Sequence, residues 1–212
     1  MNILIDELPT SVMISGKRYQ VNWGFRTFIL IEICIFDQKL TDDERIMNAL
    51  ALFYGEKIPD DMSQAFEKMM WFYRGGKLER KDPAEKGKRG ASSSRRGYCF
   101  EQDAPFIYSA FRTQYKIDLQ DLRSEDLHWW KFLAMFESLD ENLKISKIMG
   151  YRVIKTVGMS KDQKAFYADM KKIYALDVDT SADSKMTLAK RDADMRKFVQ
   201  RRLKEAQHET KS

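Results

Sequence analysis

The sequence predicts a mainly α-helical protein, with a small N-terminal β-hairpin followed by about seven to eight helices in two halves joined by a flexible basic linker. Three observations carry that reading. Apolar residues recur at helical spacing through most of the chain, with start and stop signals around them. Two short segments of strand propensity flank Gly16 near the N-terminus. The stretch from Lys77 to Gly97 offers almost nothing apolar to bury. The expected boundaries are 1–76 for the hairpin and a three-helix half, 77–97 for the linker, 98–176 for a second helical half, and 177–212 for a polar loop and a basic C-terminal helix. Each half is small for independent stability, which makes packing as one domain the natural arrangement.

Each element has its own warrant. Ser11-Val12-Met13-Ile14 and Arg18-Tyr19-Gln20-Val21-Asn22 read as paired strands, with Gly16 supplying the turn. Phe25 to Phe36 is an apolar run whose only charges are Arg26 and Glu32, and it reads as a buried helix. Thr41-Asp42-Asp43-Glu44 has the form of a capping box, opening a helix in which Ile46, Ala49, Leu50 and Phe53 share a face until Gly55 stops it. Pro59 and Asp60-Asp61 start another, with Ala65, Met69 and Phe72 apolar, that ends at Gly75-Gly76. Beyond the linker, Asp103 and Pro105 open a helix carrying Ile107, Ala110, Phe111 and Tyr115 as its stripe, closed by the turn Lys116-Ile117-Asp118-Leu119. A short helix spans about Asn142 to Tyr151, and Ser160-Lys161-Asp162-Gln163 caps one with Phe166, Met170, Ile173 and Tyr174 at helical spacing. Leu188, Met195, Val199 and Leu203 mark the last.

Between these lies the run Leu127-His128-Trp129-Trp130-Lys131-Phe132-Leu133-Ala134-Met135-Phe136, which reads as a helix with Ser124, Glu125 and Asp126 as start signals. Adjacent helical residues diverge by about 100° around the axis, so Trp129 and Trp130 cannot both face one thin core. Trp129 groups with Phe132, Leu133 and Phe136, and Trp130 with Leu127 and Ala134, leaving His128, Lys131, Met135 and Ser138 on a narrow polar stripe. Such a helix needs cover on at least two sides, from the rest of the chain or from a partner.

Composition narrows the class. Thirteen Phe, nine Tyr, four Trp and twelve Met argue against wholesale disorder. The start Met1-Asn2-Ile3-Leu4-Ile5-Asp6-Glu7 lacks a basic lead, and no stretch approaches the roughly 18 apolar residues of a membrane span, so a soluble, intracellular protein without membrane contact is expected. Cys34 and Cys99 form no C-x-x-C pair and read as buried or incidental thiols. Of the net +5, residues 77–96 contribute eight basic against three acidic side chains, and residues 185–212 nine against four. Each segment is thus +5 and the remainder −5, which assigns the basic character to linker and tail.

Catalytic chemistry finds no footing in these residues. The two histidines, His128 and His208, cannot build a histidine metal cage, and His128 with Asp118, Asp121 and Asp126 matches no ligand template. Ser124 lies near His128 by helical spacing alone, without an orienting acid or an oxyanion site. Gly75-Gly76-Lys77 lacks the phosphate-loop frame. The reading is a non-enzyme with no cofactor, no metal and no catalytic residue. Lys86, Lys88, Arg89, Arg95 and Arg96 in the linker would neutralise phosphates but have no aromatic residue among them to stack on a base, so binding there would be non-specific. The basic amphipathic last helix reads as a solvated face ahead of a docking element for an acidic surface.

Several strings taken in order carry a resemblance: Phe25-Arg26-Thr27-Phe28; Trp71-Phe72-Tyr73-Arg74-Gly75-Gly76; Asp103 with Ile107-Tyr108-Ser109-Ala110-Phe111; Tyr115-Lys116-Ile117-Asp118-Leu119; Leu127-His128-Trp129-Trp130-Lys131-Phe132; and Lys147-Ile148-Met149-Gly150-Tyr151-Arg152. From about residue 5 to residue 176 the chain resembles a family of tail proteins from long-tailed phages and prophages of Gram-positive bacteria, named after a phage gene product fifteen. The resemblance implies a tail-assembly chaperone in the host cytoplasm, missing from the mature virion. It would bind the tape-measure protein, and possibly the major tail-tube protein, as a homo-oligomer or in multiple copies per client. The alternatives are a structural tail component built into the virion and a non-specific nucleic-acid binder acting through the linker. Trp71, Phe72, Tyr73, Trp129, Phe132 and Phe136 are the expected partner-binding residues, because large aromatic side chains there stand where core gives way to surface.

Overall fold

A computed structural model of the 212-residue chain describes residues 2–77, 97–123 and 126–177. These hold a β-hairpin and seven helices, as the sequence predicts. Most of the expected linker, the expected C-terminal helix, His208, and the start signals Ser124 and Glu125 lie outside the described residues. The described chain divides into two compact units. One contains the residues up to 77 and Gln120–Glu137; the other contains those from 97 to Leu119 and from Ser138 to 177.

The first unit opens with β1 (Ser11–Ile14) and β2 (Lys17–Gln20), paired antiparallel with Val12 opposite Tyr19 and Ile14 opposite Lys17. Ser15 and Gly16 both take positive φ, the geometry a two-residue turn needs to match strand twist. Val12 and Ile14 point into the core while Met13 faces out. The helix α1 (Phe25–Phe36) follows, then α2 (Asp42–Tyr54) and α3 (Met62–Tyr73). The expected capping box of α2 is complete: the Glu44 N–H donates to Thr41 Oγ1 at 3.3 Å, and the Thr41 N–H to Glu44 Oε2 at 2.7 Å. Its predicted face of Ile46, Ala49, Leu50 and Phe53 is buried, and Gly55, at φ +67, stops it. Asp61 caps α3 through the Gln64 N–H at 3.0 Å.

Two helices differ from their expected extent or burial. The helix α1 is not buried all round: Phe25, Phe28, Ile31 and Glu32 face inward, but Leu30 is 51% exposed. Its apolar run is wider than the core it faces. The double-tryptophan helix α5 runs Trp129–Glu137 rather than from Leu127, because His128 forms an antiparallel bridge with Gly24, just before α1, and Leu127 lies in the bend that leads to it. There the Phe25 N–H donates to Leu127 O and the Trp129 N–H to Trp23 O, each at 3.0 Å. This short ladder places α5 in the first unit, although chain order groups it with the later helices.

The second unit contains α4 (Ala104–Tyr115), α6 (Lys144–Val153) and α7 (Lys161–Ile173). Of the stripe expected on α4, Ile107, Ala110 and Phe111 are buried and Tyr115 is half-buried. Pro105 sits in its first turn and Lys116, at φ +59, ends it. Ile145, Ile148 and Arg152 form the buried face of α6, while α7 packs on α6 through Tyr151 against Phe166, Tyr167 and Tyr174. The expected Ser160–Gln163 capping box of α7 is present. No residue of α7 is buried, so its apolar stripe is only half covered.

Candidate functional site

The two strings that carry the resemblance most specifically meet in space. The helix α3 must satisfy its last carbonyls, which have no helical partner. The Arg74 N–H donates to Met70 O at 3.1 Å; the Gly75 N–H then donates to Phe72 O and the Gly76 N–H to Trp71 O, both at 3.0 Å. Gly75 at φ +68 supplies the left-handed residue of this Schellman ending. Tyr73 O is reached from α5, where Trp129 Nε1 donates to it at 2.9 Å. Trp130 Nε1 donates to Phe72 O at 2.7 Å. Two adjacent indoles, diverging around α5, thus close two adjacent carbonyls at the end of α3.

Ring packing fixes the same arrangement. Trp129 stacks on Phe28 of α1 at 5.1 Å and on Phe132 at 5.5 Å, and Phe28 stacks on Phe72 at 5.3 Å. Trp130 meets Trp71 edge-on at 5.3 Å. A Cβ built on Gly76 would lie 2.6 Å from the far edge of the Trp130 ring, so only glycine fits beneath that indole. The paired glycines therefore have distinct duties: Gly75 turns the chain, and Gly76 turns it and makes room for the ring.

His128 completes this cluster. It was expected on a polar stripe, yet it is 5% exposed, stacked on Trp23 at 5.4 Å with Phe72 on another side. The Trp130 N–H donates to His128 Nδ1 at 3.0 Å, so Nδ1 carries no proton. The proton therefore sits on Nε2, which donates to Pro9 O at 3.0 Å. Burial holds the imidazole below its ordinary pKa; the bond to Pro9 opposes that shift, and the charge of Lys131 adds to it. With both nitrogens engaged by backbone, the ring joins the N-terminal segment to the start of α5. Of the acids considered beside it in the sequence, Asp126 bonds Arg123, and Asp118 accepts from Tyr108 and Arg112.

Of the six residues expected to bind a partner, Phe72, Trp129, Phe132 and Phe136 are buried in the first unit and present no surface in this conformation. Trp71 and Tyr73 are half-buried, and the Tyr73 hydroxyl donates to Glu32 at 2.7 Å. Cys99 is buried, as expected, and Cys34 half-buried, with burial raising its thiol pKa. Among the described residues no group of His, Cys, Asp and Glu is arranged to hold a metal ion, and no helix is long and apolar enough to cross a membrane.

The second unit has a polar centre that sequence reading missed. Arg152 and Asp103 pair while both are almost fully buried, with Nη2 donating to Asp103 Oδ1 at 2.9 Å. Arg152 also donates to Tyr174 O at 2.6 Å and to Gly97 O at 3.0 Å, and Asp103 accepts the Cys99 N–H at 2.8 Å. One guanidinium thereby joins the chain before α4, the start of α4, α6, and the end of α7. Asp103, expected to open α4, makes no side-chain cap bond because its carboxylate is engaged here. A signal existed: Arg152 sits seven residues after Ile145 and four after Ile148, on the core face of its helix, where a charge requires a partner.

The sequence family described as Bacteriophage Gp15 protein matches residues 4–176. No curated protein and no solved structure matches the chain. The matched span takes in the α3 ending, both tryptophans, His128, Asp103 and Arg152, and the chain belongs to the bacteriophage Gp15 protein family.

Proposed function

We propose that the protein is a non-catalytic tail-assembly chaperone that binds the tape-measure protein during tail morphogenesis in the host cytoplasm. The observation that carries this reading is membership of a bacteriophage family over residues 4–176, together with the resemblance of its strings to tail proteins. The mechanism is stoichiometric binding. Apolar surface on the chaperone shields client helices, then yields to tail-tube protein as the tube polymerises. With Phe72, Trp129, Phe132 and Phe136 buried, the proposed client contact uses the apolar edge of α7 and the half-buried Trp71 and Tyr73.

The test is co-expression with the tape-measure protein encoded in the same tail module. The expected result is a client that becomes soluble and co-purifies with this chain. A client that stays insoluble and never co-purifies overturns the proposal, and finding the protein in purified virions would favour a structural tail component instead.

A further inference from the structure

The −5 net charge outside linker and tail conceals a division. Residues 1–76 and 120–137 carry fifteen acidic against ten basic side chains, a net of −5. Residues 144–173, which make up α6, the following loop and α7, carry eight basic against two acidic side chains, a net of +6. Buried Arg152 is neutralised by Asp103, and Lys171 donates to Ile154 O, but Lys147, Lys155, Lys161, Lys164 and Lys172 are exposed and make no ion pair among the described residues.

The charges on α7 also segregate. Lys161, Lys164, Ala165, Ala168 and Lys172 follow the spacing of one helical edge and are all exposed. Asp162 and Asp169 fall on the edge of Phe166 and Ile173. Lys161 and Lys164, three residues apart on one helix, repel each other. Surfaces selected only for solubility intersperse the two signs. The small alanines between the lysines would let another surface approach closely. No aromatic side chain lies on that edge to stack on a base, and lysine lacks the planar fork that grips phosphate in a bidentate fashion, which disfavours nucleic acid.

We propose that the lysine edge of α7 docks on the acidic first unit of a second copy of this chain. The complementary charge is present in the molecule: Asp43, Glu56, Asp60 and Glu67 of the first unit are exposed and make no ion pair among the described residues. The two surfaces differ, so the contact is head-to-tail, and such contacts continue from copy to copy instead of stopping at a dimer. The contact is a property of the chain alone and does not depend on the tape-measure reading.

Sedimentation velocity on the full chain, over a range of concentration and salt, tests this. The expected result is assembly that grows with concentration at low salt and weakens by at least about tenfold at high salt, where exposed charges are screened. Substituting Lys161→Glu, Lys164→Glu and Lys172→Glu together should leave helical content unchanged and abolish assembly. Reversing Asp43, Glu56, Asp60 and Glu67 to lysine should also abolish it. Each variant keeps one wild-type surface and the two reversed surfaces are complementary to each other, so mixing the variants should restore the assembly that neither shows alone. A wild-type chain that is monomeric throughout overturns the proposal, as does assembly that survives the triple lysine substitution. So does a monomer whose lysine edge binds a short DNA duplex with an affinity the triple substitution removes.

Discussion

The two units of this protein close themselves by opposite means. The first is aromatic: two indole N–H groups satisfy the end of α3 while the Trp129 ring stacks on Phe28 and the Trp130 ring lies tilted against Phe72. The second is ionic: one buried guanidinium joins four places in the chain through a carboxylate and two carbonyls. An aromatic closure stabilises through apolar area and shape, and it degrades by degrees when a ring or a neighbour changes. A buried ion pair contributes little net stability over an apolar replacement, but it fails sharply when one partner is removed. The family match spans both closures.

The largest expected effect breaks the ionic side. Arg152→Met leaves Asp103 charged, buried and without its partner, which should cost about 3–5 kcal/mol in urea unfolding. Replacing both, as Asp103→Leu with Arg152→Met, should recover part of that loss. It should remain short by about 1–3 kcal/mol, because the buried Cys99 N–H then lacks its acceptor and the Tyr174 and Gly97 carbonyls lack their donor. A double variant no more stable than Arg152→Met alone would show that this unit needs the pair itself, not merely neutrality.

On the aromatic side the expected costs are smaller and separable. Gly75→Ala meets only ordinary contact with Leu133 at 3.6 Å, so its cost is left-handed strain, about 1–2 kcal/mol. Gly76→Ala bears the same strain and also displaces the Trp130 ring, and should be the more destabilising of the two. Equal losses would mean that the ring moves freely and that the indole does not fix the end of α3. Indole fluorescence of the two variants should differ in the same order.

The mildest effect comes from pH. The folded pKa of His128 is lowered below its ordinary value near 6.5, chiefly by burial. The unfolded chain therefore takes up the proton first as pH falls. The contribution of the neutral ring to stability is complete above about 6.5, and it is lost as pH drops from there toward the folded value. Protonation would also place a hydrogen on Nδ1, where the Trp130 N–H now donates. His128→Asn should flatten the slope of stability against pH below 6.5, and an unchanged slope would assign the titration to another group.

Local rules made much of the fold legible. The α2 and α7 capping boxes, the glycine stops at Gly55 and Gly75-Gly76, and the hairpin about Gly16 depend on neighbours within a few residues, and each lies where the sequence puts it. What stayed hidden depends on distant partners. Trp129 and Trp130 were legible as needing cover on two sides, but not as donors to carbonyls 56 and 58 residues earlier. His128 follows Leu127 in what reads as a helix, and only the pairing with Gly24 makes it extended and brings it under Trp23. The stripe of α7 was visible, but periodicity cannot tell a helix that is covered from one that is left at the edge.

The order of the segments bears on how the chain is made. The first unit takes its closing helix from residues 129–137, after the chain has already entered the second unit at residues 97–119. No single cut of the polypeptide can therefore separate the two. During synthesis α1, α2 and α3 leave the ribosome with Phe28 and Phe72 uncovered, and the end of α3 bonds water until the tryptophans are translated. A nascent chain caught in that interval carries an open aromatic face, so the pace of translation between residues 77 and 130 sets how long it stays vulnerable to aggregation.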